Sequence, residues 1–204
     1  LDTAAQCEQL GHHVTEALPE IDWQQFFDAT HILWTANIVL FVDYAAAMTG
    51  RKIDENTLEA TTLACYRYGK ELKAEQLLQA QADANHICRT VGHFFQHYDL
   101  LLTPTTTQLP LPVGMMNAND PDLDAIGWSK KVFNFCPYTP LFNMTGQPAI
   151  SLPLHQSSDK LPIGMQFVGR YGYESTLLQL ARQFEQAHPW PQIAPLINKH
   201  IAKE

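Results

Sequence analysis

Apolar residues recur at helical spacing through the first half of the chain. This repeat marks helices that bury one face, and it predicts helices over residues 2–10, 22–50, 54–68 and 73–98. Asp22 can cap the second helix, and glycines stand where the first three helices are expected to end. The residues expected to face inward are Phe27, Trp34, Ile38, Phe41 and Ala45 in the second helix, and Ala80, Ala84, Ile87, Val91, Phe94 and Tyr98 in the fourth.

Shorter apolar runs separated by turn residues make up most of the second half. Residues 100–103 predict a strand buried on both sides, and residues 149–154 and 163–168 predict a hairpin. Residues 12–17 alternate like a further short strand. Helices are expected at 128–135 and 174–187, the latter with Leu177, Leu180, Ala181 and Phe184 inward. The Pro- and Asn-rich residues 105–121 predict a loop, and Pro189, Pro191 and Pro195 predict an irregular tail.

This order of elements predicts an α/β fold that is rich in helix. Three or four strands offer too little sheet to cover so many helices, so we expect another segment to complete the sheet. The composition agrees, because only 17% of the residues are charged, against about 25% in typical soluble domains. Either part of the surface is covered in the folded protein, or the abundant Gln, Asn and Thr residues supply the polar surface instead.

The charge distribution excludes one class of partner. The net charge is −8, and the basic doublets Arg51–Lys52 and Lys130–Lys131 do not extend into a patch that could bind nucleic acid. The apolar run at 38–42 is far shorter than the roughly 18 residues that span a bilayer, so no membrane contact is expected. Four widely spaced cysteines and the lack of a signal peptide predict a cytoplasmic protein. The start at Leu1, inside a predicted helix, predicts a fragment of a longer chain.

The chain lacks the common catalytic motifs. It has no Gly-x-Ser-x-Gly motif and no Gly-rich phosphate loop. His93 and His97 are spaced like two ligands on a helix, but no acidic residue lies between them and no third ligand is evident, so we expect no metal and no cofactor. Cys136 has no nearby base and is not expected to act as a nucleophile. The residues alone therefore predict no catalytic group.

Four motifs resemble the amidase-signature family of hydrolases, in the family's order. They are Leu-Gly-His-His-Val at 10–14, Tyr-Asp-Leu-Leu-Leu-Thr-Pro-Thr at 98–105, Phe-Asn-Met-Thr-Gly-Gln-Pro-Ala-Ile-Ser-Leu-Pro-Leu at 142–154 and Leu-Pro-Ile-Gly-Met-Gln-Phe-Val-Gly at 161–169. The Thr-Gly-Gln-Pro variant and the pair Pro189–Trp190 resemble the branch of general amidases that includes 6-aminohexanoate-cyclic-dimer hydrolases. The resemblance spans nearly the whole chain.

The resemblance implies a fold with a large mixed β-sheet between helical layers. Residues 1–204 would be the C-terminal portion of a single amidase-signature domain, without the N-terminal portion that carries the catalytic motifs. It also implies cleavage of amide C–N bonds by a Ser nucleophile, with a second Ser and a Lys as proton carriers. In the family these groups lie upstream of the matched region, so none is assigned here. The implied partners are the missing N-terminal part and a small amide substrate, with self-association of a chain that lacks that part.

Two segments are candidates for walls of the substrate pocket under this resemblance. One is the helix with Trp34 and Asn37, and the other is the loop at 136–143 with Cys136, Tyr138 and Asn143. Three of these residues have an alternative, purely structural role. Trp34 has the spacing of a residue in the hydrophobic core, and Tyr138 can pack beneath its loop. Asn143 can form hydrogen bonds to backbone groups before a turn.

Two other functions share part of this pattern. The A subunit of a glutamyl-tRNA amidotransferase has similar motifs, but it would be expected to carry an Asp ahead of Asn143. Residues 135–139 contain no acid, which favours a general amidase. The other alternative is a non-catalytic interaction module.

Overall fold

The computed structural model describes residues 2–190. In this range the chain forms seven α-helices and three β-strands, which confirms the helix-rich α/β class. The elements are α1 Asp2–Gln9, α2 Trp23–Thr49, α3 Ala60–Lys70, α4 Ala74–Phe94, β1 Leu100–Pro104, α5 Ala125–Phe135, α6 Thr139–Thr145, β2 Ala149–Gln156, β3 Pro162–Gly169 and α7 Glu174–Ala187. The predicted tail beyond Trp190 lies outside the described residues.

The ends of α2 follow directly from its sequence. The Asp22 carboxylate accepts hydrogen bonds from the backbone N–H groups of Gln24 and Gln25, which have no partner within the helix. Gly50 ends the helix with a φ of 67°, a left-handed conformation that glycine adopts without strain. Among the described residues, α2 is the one helix long and apolar enough to cross a membrane, by length and composition only. A helix packed inside a protein can meet the same criteria, so the expected lack of membrane contact stays a prediction.

The inward face of α2 differs from the predicted one. Phe41 was expected to point inward, but it is 74% exposed, whereas Phe26, Thr35 and Val42 are buried. The helices α4 and α3 cover different parts of α2. The Gln25 side chain bonds to Asp83 of α4, and Asp43 bonds to Tyr66 of α3. The buried side of α2 therefore changes direction along the length of the helix. A single stripe of apolar positions does not predict it.

Residues 100–103 were expected to be buried on both sides, but in the described residues this strand lies at an edge of the sheet and is half-buried.

Three further local predictions were wrong. Residues 12–17 form no strand, because the N–H groups of Leu10, Gly11 and His12 bond back to the end of α1. Residues 54–59 form a turn in which Asp54 accepts from the Asn56 N–H, so α3 begins only at Ala60. The segment expected as a loop at 136–143 contains most of α6, and Pro140 occupies its first turn, where proline is tolerated.

The strands form an antiparallel sheet in the order β1–β3–β2, and its two faces pack against different helices. The predicted hairpin of β2 and β3 is confirmed. One face buries Leu152 and Phe167 against α7 and α1, with Leu177, Leu180 and Phe184 inward as predicted. The other face packs Leu101 and Val168 against residues of α2, α4 and α6 and the residue that caps α4. These are Phe26, Ile87, Val91, Phe95, Leu141 and Phe142. The result is a sheet between two helical layers.

Candidate functional site

A cleft of about 350 Å³ lies between α6 and one end of the sheet. Six of its lining residues carry uncharged polar side chains, namely Thr105, Thr139, Asn143, Gln147, Ser151 and Gln166. Phe142, Ala149 and Ile150 complete the lining. We refer to this feature as the polar cleft. It is the site in the described residues where hydroxyl and carboxamide groups from several elements meet.

The strand register explains why polar groups gather there. Thr103 of β1 and Ser151 of β2 both pair with Gln166 of β3, so the three side chains lie side by side on one face of the sheet. The same face carries Leu101 and Val168 two positions away, because alternate residues of a strand share a face. The face toward α6 therefore changes from apolar to polar along the strands.

Direct hydrogen bonds hold this polar row in place. Gln166 is only 4% exposed, and its Nε2 donates to Thr103 Oγ1 at 3.1 Å. The hydroxyl oxygens of Thr105 and Ser151 lie 2.7 Å apart and share a hydrogen bond. Gly164 makes this contact possible, because a Cβ at that position would lie 2.7 Å from Ser151 Oγ and 2.9 Å from Thr105 Oγ1. The cleft wall is thus pre-organised by its own side chains.

Only one of the predicted wall residues lines the polar cleft. Asn143 does so from α6, and its side chain is exposed. Cys136 ends α5, and its thiol donates to the Val132 carbonyl at 3.3 Å. Tyr138 stands at the N-cap of α6 and is half-buried. These two residues flank the cleft in sequence but do not line it.

The other two predicted wall residues lie on α2, away from the polar cleft. Trp34 is half-buried. The Asn37 side chain is exposed and donates to the backbone carbonyl of Leu33 at 2.8 Å, so its amide satisfies its own helix. A role of either residue in a substrate pocket stays a prediction.

The cleft residues that sequence reasoning missed are Thr105, Ser151, Gln147 and Gln166. For Ser151 and Gln166 the signal is alternation, since hydroxyl or amide residues occupy the same face of all three strands. Thr105 and Gln147 lie just outside the strands and give no such signal. Polar residues in a strand usually face solvent, so the alternation alone does not indicate a site. The strand register is needed to show that these polar side chains are neighbours.

Comparison with known proteins places this chain in a family. The amidase family profile matches residues 1–178. The chain belongs to the amidase family. The protein AmiC of Mycobacterium leprae (strain TN), which carries an amidase name, is 33% identical over 196 residues. That match covers 95% of this chain and 40% of AmiC.

The amidase relatives include an enzyme whose structure is solved. The 6-aminohexanoate-cyclic-dimer hydrolase of Paenarthrobacter ureafaciens is 31% identical over 201 residues, which is 96% of this chain and 41% of that protein. A structure of 6-aminohexanoate cyclic dimer hydrolase matches 93% of this chain with a TM-score of 0.83 at 29% identity, and the match covers 40% of that hydrolase. A bacterial aryl acylamidase of the amidase-signature family shares the fold, with a TM-score of 0.71 at 20% identity. The chain therefore spans about two fifths of the length of each of these proteins.

Within residues 2–190, His31 and Ser129 form a buried pair that the sequence did not reveal. His31 Nδ1 lies 2.8 Å from Ser129 Oγ, and the imidazole packs against the rings of Phe27 and Tyr68. A nucleophile must reach its substrate, but Ser129 has no exposed surface. The pair therefore stabilises the packing of α2 against α5 and does not act as a nucleophile and base.

Burial makes His31 a source of acid sensitivity. Desolvation lowers the pKa of His31, more than the nearby carboxylates Asp28 and Asp124 raise it. In the unfolded chain the imidazole titrates near its ordinary pKa of about 6.5, so protonation below that pH favours unfolding. The stability that the neutral His31 imidazole contributes is fully present above about pH 6.5. It is lost as the pH falls toward the lowered pKa of His31 in the folded protein.

We expect His31→Gln to flatten the pH dependence of unfolding below about pH 6.5. One proton contributes at most about 1.4 kcal/mol per pH unit to the slope of the unfolding free energy. Urea unfolding of the complete protein across this range would measure the slope, which is independent of any uniform stability loss. His86→Gln is the control, because His86 is exposed on α4. Equal slopes in wild type and His31→Gln would contradict the prediction.

The remaining reactive groups provide no second chemical site in the described residues. Burial raises the pKa of the Cys65 thiol to about 11, and it also raises the pKa values of Cys7 and Cys88. Buried thiols of this kind are poor nucleophiles. Within residues 2–190, no group of three or more His, Cys, Asp or Glu side chains could hold a metal ion. The expectation that no cofactor is needed stays a prediction.

Proposed function

We propose that the complete protein hydrolyses amide C–N bonds, and that residues 1–204 form the C-terminal portion of its single catalytic domain. In this proposal a Ser-Ser-Lys set upstream of Leu1 performs the chemistry. This chain supplies three strands, the covering helices and part of the substrate pocket. The observation that carries the proposal is the match to a 6-aminohexanoate-cyclic-dimer hydrolase over 96% of this chain but only 41% of that enzyme.

Among the described residues, the pairs of a histidine with a hydroxyl do not form an accessible catalytic set. Amide hydrolysis needs an activated nucleophile, a proton donor for the leaving amine and a stabilised oxyanion. In residues 2–190, His31 with Ser129 and His155 with Thr3 are the two pairs in which a histidine ring bonds to a hydroxyl. Ser129 and Thr3 are both buried, so neither hydroxyl is accessible to a substrate.

The surface supports contact with a further part of the same protein. The second half of α2 exposes an apolar stripe that runs along one side, made of Leu40, Phe41, Tyr44 and Met48. Contiguous apolar surface of this kind usually marks an interface. Self-association through the stripe is the expected behaviour of a chain that lacks this further part.

The relatives favour hydrolysis over the alternatives. Those reported above are named as an amidase and hydrolases. A glutamyl-tRNA amidotransferase subunit would be expected to carry an acid at residues 135–139, and these residues contain none. The names of these relatives do not indicate such a subunit either. We therefore retain amide hydrolysis as the single proposed function.

A labelling experiment on two proteins tests this proposal. We expect the complete protein to hydrolyse members of a panel of aryl and aliphatic amides and to react with a fluorophosphonate probe at a serine upstream of Leu1. Residues 1–204 alone should show neither turnover nor labelling, because they lack the nucleophile and the oxyanion site. Mass spectrometry would locate the probe. Labelling of a serine within residues 1–204 would contradict the proposal, as would a complete protein that cleaves no amide.

A further inference from the structure

The polar cleft is a built site whose wall has a consistent chemical character. The Gln166 carboxamide is buried and bonded to Thr103, and the hydroxyls of Thr105 and Ser151 are bonded to each other over Gly164. Their positions are set by strand register and do not depend on flexible surface side chains. A ligand in the cleft therefore meets a fixed array of hydrogen-bonding groups.

None of the described residues that line the polar cleft carries an ionisable side chain. Hydroxyl and carboxamide groups can both donate and accept hydrogen bonds, so they match an uncharged polar group such as an amide or an alcohol. A charged group entering the cleft would lose water without gaining an opposite charge from this wall. Burial of an unpaired charge is strongly unfavourable.

We propose that the polar cleft binds an uncharged part of the amide substrate, and that Ser151 and Thr105 are specificity-determining residues. This inference rests on the proposed amide hydrolysis. Gln166 is a positioning residue, because it fixes Thr103 and the row from which Ser151 projects. The cleft excludes substrates that carry an ammonium or carboxylate group in this part. Ser151 is the residue of choice for a test, because it is exposed and lines the cleft directly.

The test uses the complete protein and two series of amides of matched length. One series varies the end of the acyl group, and the other varies the end of the amine. Each series contains a hydroxyl, an ammonium and a carboxylate member. In at least one series we expect kcat/KM for the hydroxyl member to exceed that of both charged members by about tenfold or more.

A charge introduced into the cleft should change this ranking. In the series that shows the preference, Ser151→Asp should raise kcat/KM for the ammonium member relative to the hydroxyl member by about tenfold, and lower that for the carboxylate member. Ser158→Asp is the matched control, because it adds the same charge in the exposed turn between β2 and β3. Thr105→Asp is the second variant, in case Ser151→Asp disrupts the strand.

The outcomes separate this inference from the proposed function. If no amide is hydrolysed, the proposed function fails and the inference fails with it. If amides are hydrolysed but charged and uncharged members react equally in both series, the inference is overturned while the function stands. The same conclusion follows if Ser151→Asp and Thr105→Asp both leave the ranking as Ser158→Asp does.

Discussion

Replacement of Phe184 by alanine is expected to lower the free energy of unfolding by about 3–5 kcal/mol, the usual cost of removing a buried aromatic ring. Phe184 has no exposed surface, and its ring centroid lies 5.5 Å from that of Phe167 at the centre of the sheet. The ring joins α7 to β3 within the cluster that also contains Leu177 and Leu180. The surrounding side chains come from separate elements and cannot close the cavity without moving the helix. Urea unfolding of the complete protein, followed by tryptophan fluorescence, would measure the loss.

The same helix provides a control for this substitution. Leu178 is 64% exposed on α7, so Leu178→Ala removes a large apolar side chain without creating a cavity. We expect it to change the unfolding free energy by less than about 0.5 kcal/mol, as at most surface sites. If the two variants lose similar stability, α7 is not anchored through Phe184 and its predicted inward face is incorrect. Phe167→Leu provides a further comparison from the strand side of the same contact.

The sequence predicts those elements best whose signals are local. The α2 ends are set by Asp22 and Gly50, and both caps form as expected because they involve neighbouring backbone groups only. The hairpin of β2 and β3 and the inward face of α7 are also confirmed, since period and turn residues specify them. Such features need no knowledge of distant contacts.

Features that depend on tertiary contacts were predicted poorly. The expected inward position of Phe41 failed because α3 and α4 cover different parts of α2. The helix α6 was interpreted as a loop because Pro137 and Pro140 suggest a break, although Pro140 fits the first turn of a helix. Both errors arise because the local sequence of a segment does not indicate which other elements will pack against it.

The residues of the polar cleft were also difficult to predict from the sequence, for the same reason. Asn143 was selected from a family motif, and it does line the cleft. Thr105, Ser151 and Gln166 were not selected, because each is an ordinary polar residue in or directly after a strand. Only the pairing of Gln166 with both Thr103 and Ser151 brings them together. The amidase motifs at 98–105, 142–154 and 161–169 therefore meet at one place in the fold, although each is separate in sequence.

Gly69→Ala is expected to destabilise the protein, although alanine favours helix more than glycine does. In α3, a Cβ at position 69 would lie 2.5 Å from the backbone oxygen of Thr35 and 2.6 Å from Val39 Cγ2. The backbone oxygen cannot move aside as a flexible side chain could, so α3 must shift away from α2. Overpacking of this kind costs about 1–3 kcal/mol, and we expect the upper end of that range. Urea unfolding would measure the loss.

The shift of α3 should also weaken a specific interaction between the two helices. The Tyr66 hydroxyl donates to Asp43 Oδ1 at 2.7 Å, and Lys70 Nζ lies 3.2 Å from Asp43 Oδ2. Gly92→Ala is the control, because Gly92 lies within α4 and nothing stands within 4 Å of a Cβ built there. That substitution should raise stability by up to about 1 kcal/mol through helix propensity alone. The two alanine variants should therefore differ by about 3–4 kcal/mol and in opposite directions from wild type. Equal stabilisation by both would mean that α3 does not approach α2 through Gly69.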